Sequence, residues 1–343
     1  MVQGSVAYFT IHTKVQLRAS VGVATFRLIT SNTAVTKNDI SVTGLETTMN
    51  VHAAIARSIV TIMTFVLAHT AHAVASEPGS PEGTIDRLYR VDCGHSLAND
   101  ESVWTPGENK GKSIEFSSTC YLIQRGTEYM MWDTGVPEAT IGDPKGWSTL
   151  PSLIIYHLDK TISSQLAQLG LKPADIDYVL VSHTHGDHIG NVGLFPDATV
   201  VMQQAEFDWI NSPPPTDPNL NTLVQLARKL LGHPRRLELV TGDVDFFRDG
   251  SVRLLATPGH TPGSQSLMVH LPKSGYIILS GDVAHLEDNF ERDIVPSLNV
   301  DKSESISSMD RIKQIMREYD AQLFINHDKH QTDGLKLLPD YYD

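Results

Sequence analysis

The chain has 343 residues, 41% of them hydrophobic, with 40 Asp and Glu against 27 Lys and Arg for a net charge of −13. That length holds one large domain or two small ones, and the acidic balance argues against a nucleic-acid partner, because phosphate backbones require a basic footprint. No internal repeat or long low-complexity tract is visible.

Residues 1–48 are rich in Thr, Val and Ser and poor in charge, and are expected to be upstream sequence from a misplaced start, with a disordered extension as the alternative. Residues 49–75 have the layout of a secretory signal peptide. A short lead with Arg57 precedes the apolar run from Ile59 to Ala68, and small residues follow at Ala71, Ala73 and Ala75. The run is shorter than the roughly 20 residues of a membrane span. Cleavage is therefore expected, with no stable membrane insertion afterwards and a periplasmic or secreted location. Met49 becomes the expected start and residues 76–343 the working domain. The first 75 residues hold five Lys or Arg and two Asp or Glu, so the remainder carries 22 against 38, a net charge of −16.

Strands alternating with helices follow, the pattern of an α/β protein. Cys93 and Cys120 lie on two early strand-like segments. In an oxidising compartment they can pair, and a disulfide and two buried free thiols both remain open. A helix is expected over 162–169, ended by Gly170. Residues 176–181 read as a buried strand that runs into Ser182-His183-Thr184-His185-Gly186-Asp187-His188. Three imidazoles and a carboxylate within six positions are metal-ligand chemistry. Alternate histidines can share one side of an extended segment, and the Asp187-His188 pair beyond them can serve a second ion.

Further along, Gln204 to Asn211 and Thr222 to Leu231 read as helices around a stiff Pro-rich loop, 212–218, which either forms pocket wall or is plain solvent-facing loop. Three more strands end in ligand-type residues. Residues 252–256 lead to His260 in a turn rich in Gly and Pro, 276–280 lead to Asp282, and 322–325 lead to His327. A late amphipathic helix over 305–319 carries Ile306, Met309, Ile312 and Met316 on one stripe. His95, His157, His233, His270 and His330 have no second ligand at metal spacing and are expected to be ordinary, His330 being placed to line the pocket if any of them does.

The ordered set His-x-His-x-Asp-His, then His260, Asp282 and His327, resembles the metallo-β-lactamase superfamily of binuclear hydrolases over roughly residues 85–343. The phrases from Leu88 to Gly94, Thr119 to Ile123, Trp132 to Gly135 and Gln204 to Phe207 are similar to its N-acyl homoserine lactonase branch. The resemblance implies a single catalytic domain, a four-layer αββα sandwich. It also implies His183, His185 and His260 on one metal, Asp187, His188 and His327 on the other, and Asp282 between them. Two divalent ions, expected to be Zn²⁺, about 3.5–4 Å apart lower the pKa of a shared water and polarise a carbonyl. Asp187 or Asp282 is then the expected proton shuttle. Asp133 is expected to fix a ligand histidine by bonding its far nitrogen.

One position departs from the pattern. Where the branch commonly has a tyrosine three residues after the bridging aspartate, this chain has His285, expected either to contact substrate as a hydrogen-bond donor or to lie behind the ligands. The expected reaction is lactone opening, most of all of N-acyl homoserine lactones as in quorum quenching. Organophosphate or general ester hydrolysis, a glyoxalase II-type thioesterase, a mononuclear iron persulfide dioxygenase and a non-catalytic binding protein are the alternatives. A small lactone or ester is the expected partner, and homodimerisation is left open.

Overall fold

Successive side chains of a strand leave opposite faces of its sheet, and here both faces are apolar, which demands cover on each side. The computed structural model describes residues 83–148, 150–212 and 215–343, all within one compact unit, Glu77–Asp343. The segments expected at 1–48 and 49–75 lie outside the described residues.

The first sheet contains β1 (Arg87–Ala98), β2 (Ile114–Arg125), β3 (Glu128–Trp132), β4 (Ile154–His157), β5 (Tyr178–Leu180), β6 (Thr199–Gln203) and β7 (Arg236–Val240), in the order β4-β1-β2-β3-β5-β6-β7. The second contains β8 (Val244–Asp245), β9 (Val252–Ala256), β10 (Gln265–Leu271), β11 (Gly275–Leu279) and β12 (Gln322–Phe324), in the order β12-β11-β10-β9-β8. Leu88, Ile123, Met130, Leu180 and Val201 of the first sheet share one buried cluster with Leu254, Leu267, Ile277 and Leu279 of the second. That cluster is the layer between the sheets.

The neighbouring residues point outward. Tyr89, Leu122, Met131, Val179 and Val200 pack under α1 (Ile162–Leu166), α3 (Gln204–Asn211) and α4 (Pro218–Leu231) through Ile162, Leu166, Ile210, Ala227 and Leu231. On the other side Leu255, Met268, Ile278 and Leu323 meet Phe290 of α5 (Glu287–Glu291) and Met309 and Ile312 of α6 (Lys302–Tyr319). The result is the expected α-β-β-α layering in one domain.

Local chemistry moves several boundaries. Helix α4 starts four residues before Thr222, because Asp217 caps Asn219 and Leu220 and Pro218 occupies the first turn, where a missing N–H costs nothing. Part of the expected Pro-rich loop is therefore helix. Asp301 caps Glu304 and starts α6 at Lys302. The helix expected over 162–169 is α1 followed by a 3-10 turn, Ala167–Leu169, closed by Gly170 at φ 74°.

Cys93 and Cys120 form a disulfide, with Cα atoms 5.8 Å apart. It joins β1 to β2 beside the bulge that shifts their register between Asp92 and His95. Among the described residues no helix is long and apolar enough to cross a membrane.

Candidate metal centre

Four strands of the two sheets end at one place and deliver the site. The chain leaves β5 through Val181 and Ser182 and presents His183 and His185, then turns into α2 (Gly186–Ile189), which carries Asp187 and His188. His260 sits in the turn after β9, Asp282 just past β11, and His327 just past β12. The His260 turn needs Gly259: its φ is +131°, and a Cβ there would lie 2.3 Å from the Ser305 nitrogen.

Donor atoms of His183, His185, His260 and Asp282 lie within 4.8 Å of one another, as do those of Asp187, His188 and His327. Asp282 divides its oxygens between the two groups. Its Oδ2 is 3.7 Å from His183 Nε2 and 3.2 Å from His260 Nε2, while Oδ1 is 3.2 Å from both His188 Nε2 and His327 Nε2. Asp187 Oδ2 completes the second group, 3.7 Å from His188 Nε2 and 3.6 Å from His327 Nε2. The seven residues singled out as ligands are thus brought together in the two expected sets.

The donor atoms fit cations. His183 Nε2 and Asp282 Oδ1 are buried with no hydrogen-bond partner, a costly state for polar atoms unless a ligand satisfies them. The opposite ring nitrogens are anchored. His188 Nδ1 donates to Asp133 Oδ2 (2.8 Å), His260 Nδ1 to Asn299 Oδ1 (2.9 Å) and His327 Nδ1 to the Ser117 carbonyl (2.7 Å). Outer bonds of this kind set the tautomer and aim the inner nitrogen. Asp133 also accepts from the Ser182 amide and hydroxyl, so it grips the start of the ligand loop as well as His188.

Burial and charge separate the histidines. Burial pushes His183 and His185 well below the usual imidazole range and His260 down to about 4. They are neutral and ready to ligate. For His188 and His327 burial acts in the same direction but is outweighed, first by Asp282 and then by Asp187, so both are raised. The Asp282 carboxyl is held well below its usual range although burial opposes this, because the imidazoles of His327 and His188 lie against it.

His285 lies at the same centre. Its Nε2 is 3.2 Å from Asp282 Oδ2, and its ring stacks on His327 with centroids 5.2 Å apart. It also lines a pocket with His185, Asp187 and His260, to which Trp104, Trp147, Leu150, Leu153, Ile154, Leu223 and Leu298 add apolar lining. Leu223 comes from α4. His330 is exposed on α7 (Lys329–Asp333) and takes no part in the lining. It lies on a helix of its own, capped by Asp328, which carries it outward.

Two residues escaped sequence reasoning. Glu206, fully buried, accepts from the Thr184 amide (2.8 Å) and hydroxyl (2.6 Å), the Thr261 hydroxyl (2.7 Å) and the Gly263 amide (3.0 Å). It therefore ties the His183–His185 loop to the His260 turn. Gly263 is obligatory for that approach, since a Cβ would fall 2.1 Å from the Glu206 nitrogen. Burial pushes the Glu206 carboxyl up, and the four hydrogen bonds oppose it. The second residue is Tyr156 on β4, which lines the same pocket and packs its ring 5.5 Å from that of Trp147.

Comparison with known proteins agrees with this geometry. The family model of the metallo-beta-lactamase superfamily matches residues 114–319. An N-acyl homoserine lactonase from Bacillus cereus is 30% identical over 75% of this chain and 99% of its own length. The N-acyl homoserine lactonase AttM of Azorhizobium caulinodans is 28% identical over 75% of this chain and 98% of its own. A solved N-acyl homoserine lactone hydrolase, with N-hexanoyl-L-homoserine bound at its catalytic metal center, superposes with a TM-score of 0.66. It shares 25% identity over 76% of this chain and all of that one.

Proposed function

The chain belongs to the metallo-beta-lactamase superfamily, and from that premise we propose that it is a metal-dependent hydrolase that opens the ring of N-acyl homoserine lactones. The observation that carries the reading is Asp282, with one oxygen facing each of two donor groups and 3.2 Å from His285, which lines a pocket together with His185, Asp187, His260 and several apolar side chains. His183, His185 and His260 would hold one cation, Asp187, His188 and His327 the other, with Asp282 shared. Neutral imidazole and carboxylate donors suit Zn²⁺. When bound, two such cations acidify water and polarise a carbonyl.

The chain's own residues do the rest. Trp104, Trp147, Leu150, Leu153 and Leu298 offer an acyl chain an apolar surface and exclude water from the ring. In this reading His285 donates a hydrogen bond to the substrate, and Asp187 or Asp282 carries the proton to the departing ring oxygen. Ring opening leaves a carboxylate and an alcohol. No lysine or arginine occurs among the described residues that line the pocket, which disfavours an anionic glutathione thioester.

Export through a cleaved leader at 49–75 remains part of the proposal. The Cys93–Cys120 disulfide supports it, because such bonds persist in oxidising compartments. The reaction is tested by offering the full chain a series of N-acyl homoserine lactones, a phosphotriester and a glutathione thioester, following acid release. Preferred turnover of the lactones supports the reading; preferred turnover of either other substrate removes it.

A further inference from the structure

Two backbone clasps hold the histidines of the second donor group. The first is the run from Asp133 to Val136, just past β3. Asp133 accepts from His188 Nδ1, and the Thr134 amide and hydroxyl both donate to the His188 carbonyl, at 2.6 and 3.1 Å. The Asn191 side chain closes this clasp by donating to the carbonyls of Thr134 and Val136. The second clasp is Ser117 to Thr119 on β2. The Ser117 carbonyl accepts from His327 Nδ1 and its amide donates to the His327 carbonyl at 3.2 Å, while Thr119 donates to Asn326 through its amide and its hydroxyl.

The Cys93–Cys120 disulfide adjoins both. Cys120 follows Thr119 in the chain. The Cys93 carbonyl accepts from the Val136 amide at 3.1 Å, and Gly135 lies so close that a Cβ there would be 2.4 Å from the Cys93 Cβ and 3.0 Å from its sulfur. Strand pairing leaves this level open: the β1–β2 register shifts between Asp92 and His95, so Cys93 and Gly94 have no partner across the ladder. The disulfide spans that gap. The first donor group has anchors elsewhere. Asp133 reaches Ser182 beside His183, but Glu206 and Asn299 hold the His183–His185 loop and His260 independently.

We propose that the Cys93–Cys120 disulfide is a positioning element of the metal centre, fixing the His188 clasp against the His327 clasp and so setting how tightly the second cation is held. Forming it takes two protons and two electrons from the thiols and passes them to a disulfide oxidant, which leaves as two thiols. Full metal loading therefore waits on oxidation. The inference rests on the two-cation reading and adds a redox dependence to one of its two sites.

The test titrates metal-free full chain with Zn²⁺ against a chelating dye, and with Co²⁺ while following the visible absorption. Wild type is compared with the Cys93→Ala, Cys120→Ala double variant, and the binding step that disappears in His327→Ala identifies the second group. Disturbed outer support of a metal ligand weakens affinity by about 10–100-fold, so that step should weaken by about tenfold with an altered Co²⁺ spectrum, and the other should change by less than about twofold. Wild type reduced with a phosphine and then freed of it should show the same loss and regain the affinity on treatment with glutathione disulfide, which decides the matter even where the double variant does not fold. Equal weakening of both steps would make the bond a support of the fold alone, and unchanged affinities would leave it no part in the site; either overturns the proposal. A wild type that binds a single ion overturns the two-cation reading and the proposal with it, a result distinct from the other two.

Discussion

Replacing Glu206 by alanine tests whether one buried carboxylate holds the first donor group together. The side chain accepts four hydrogen bonds, two from Thr184 and one each from Thr261 and Gly263. Thr184 separates His183 from His185, and Thr261 follows His260, so all three histidines of that group depend on the clamp. Thr261 keeps a partner in Ser264, but the Thr184 and Gly263 amides lose theirs in a fully buried setting. Breaking a buried charged network costs about 3–5 kcal/mol. With a urea m-value of about 2–3 kcal/mol/M, the unfolding midpoint should fall by about 1–2.5 M. Glu206→Gln should lie between the two proteins, because it keeps one acceptor oxygen and sets an amide against the Gly263 N–H. The assay is urea unfolding followed by circular dichroism, with metal content measured in parallel, and the first ion should be held more weakly. An alanine variant with the wild-type midpoint and full metal content would refute the reasoning.

Other predictions follow from the same contacts. Asp133→Asn weakens the bond that orients His188 and should lower the affinity of one metal by about 10–100-fold, read by competition with a chelating dye; unchanged affinity for both ions would contradict the role given to Asp133. His285→Phe should lower kcat/KM for the best lactone by about tenfold with the metal content retained, and unaltered kinetic constants would return His285 to a purely structural role. Reducing Cys93–Cys120, 27 residues apart in sequence, should cost about 3–4 kcal/mol on the loop-entropy model. Thermal unfolding with and without a thiol measures it, and coincident curves would show that the bond adds nothing.

What was legible in the sequence was chemistry carried by short runs. His183 to His188 reads as ligands because the residues are adjacent, and β9, β11 and β12 read as strands because apolar runs stop at a ligand. The layering became readable only through resemblance: nothing local says that β5 lies beside β3, or that β11 and β12 run parallel. Glu206 shows the limit clearly. Its position on a helix is ordinary, and its importance comes from Thr184, Thr261 and Gly263, all distant in sequence. Tyr156 lies on a four-residue strand whose partners, Ser96 and Trp147, are also remote or irregular. Helix starts at Pro218 and Lys302 were marked by Asp217 and Asp301, cap signals that hydrophobic periodicity passes over. The disulfide needed a Cα separation that no spacing supplies.

The central claim is that two cations act together across Asp282. It is tested most directly by stripping the protein of metal and returning Zn²⁺ in measured steps while following lactone opening and bound metal. The account predicts binding that saturates at about two ions per chain, with turnover appearing in step with the second. Saturation at one ion, or full turnover with the second group empty, would contradict it.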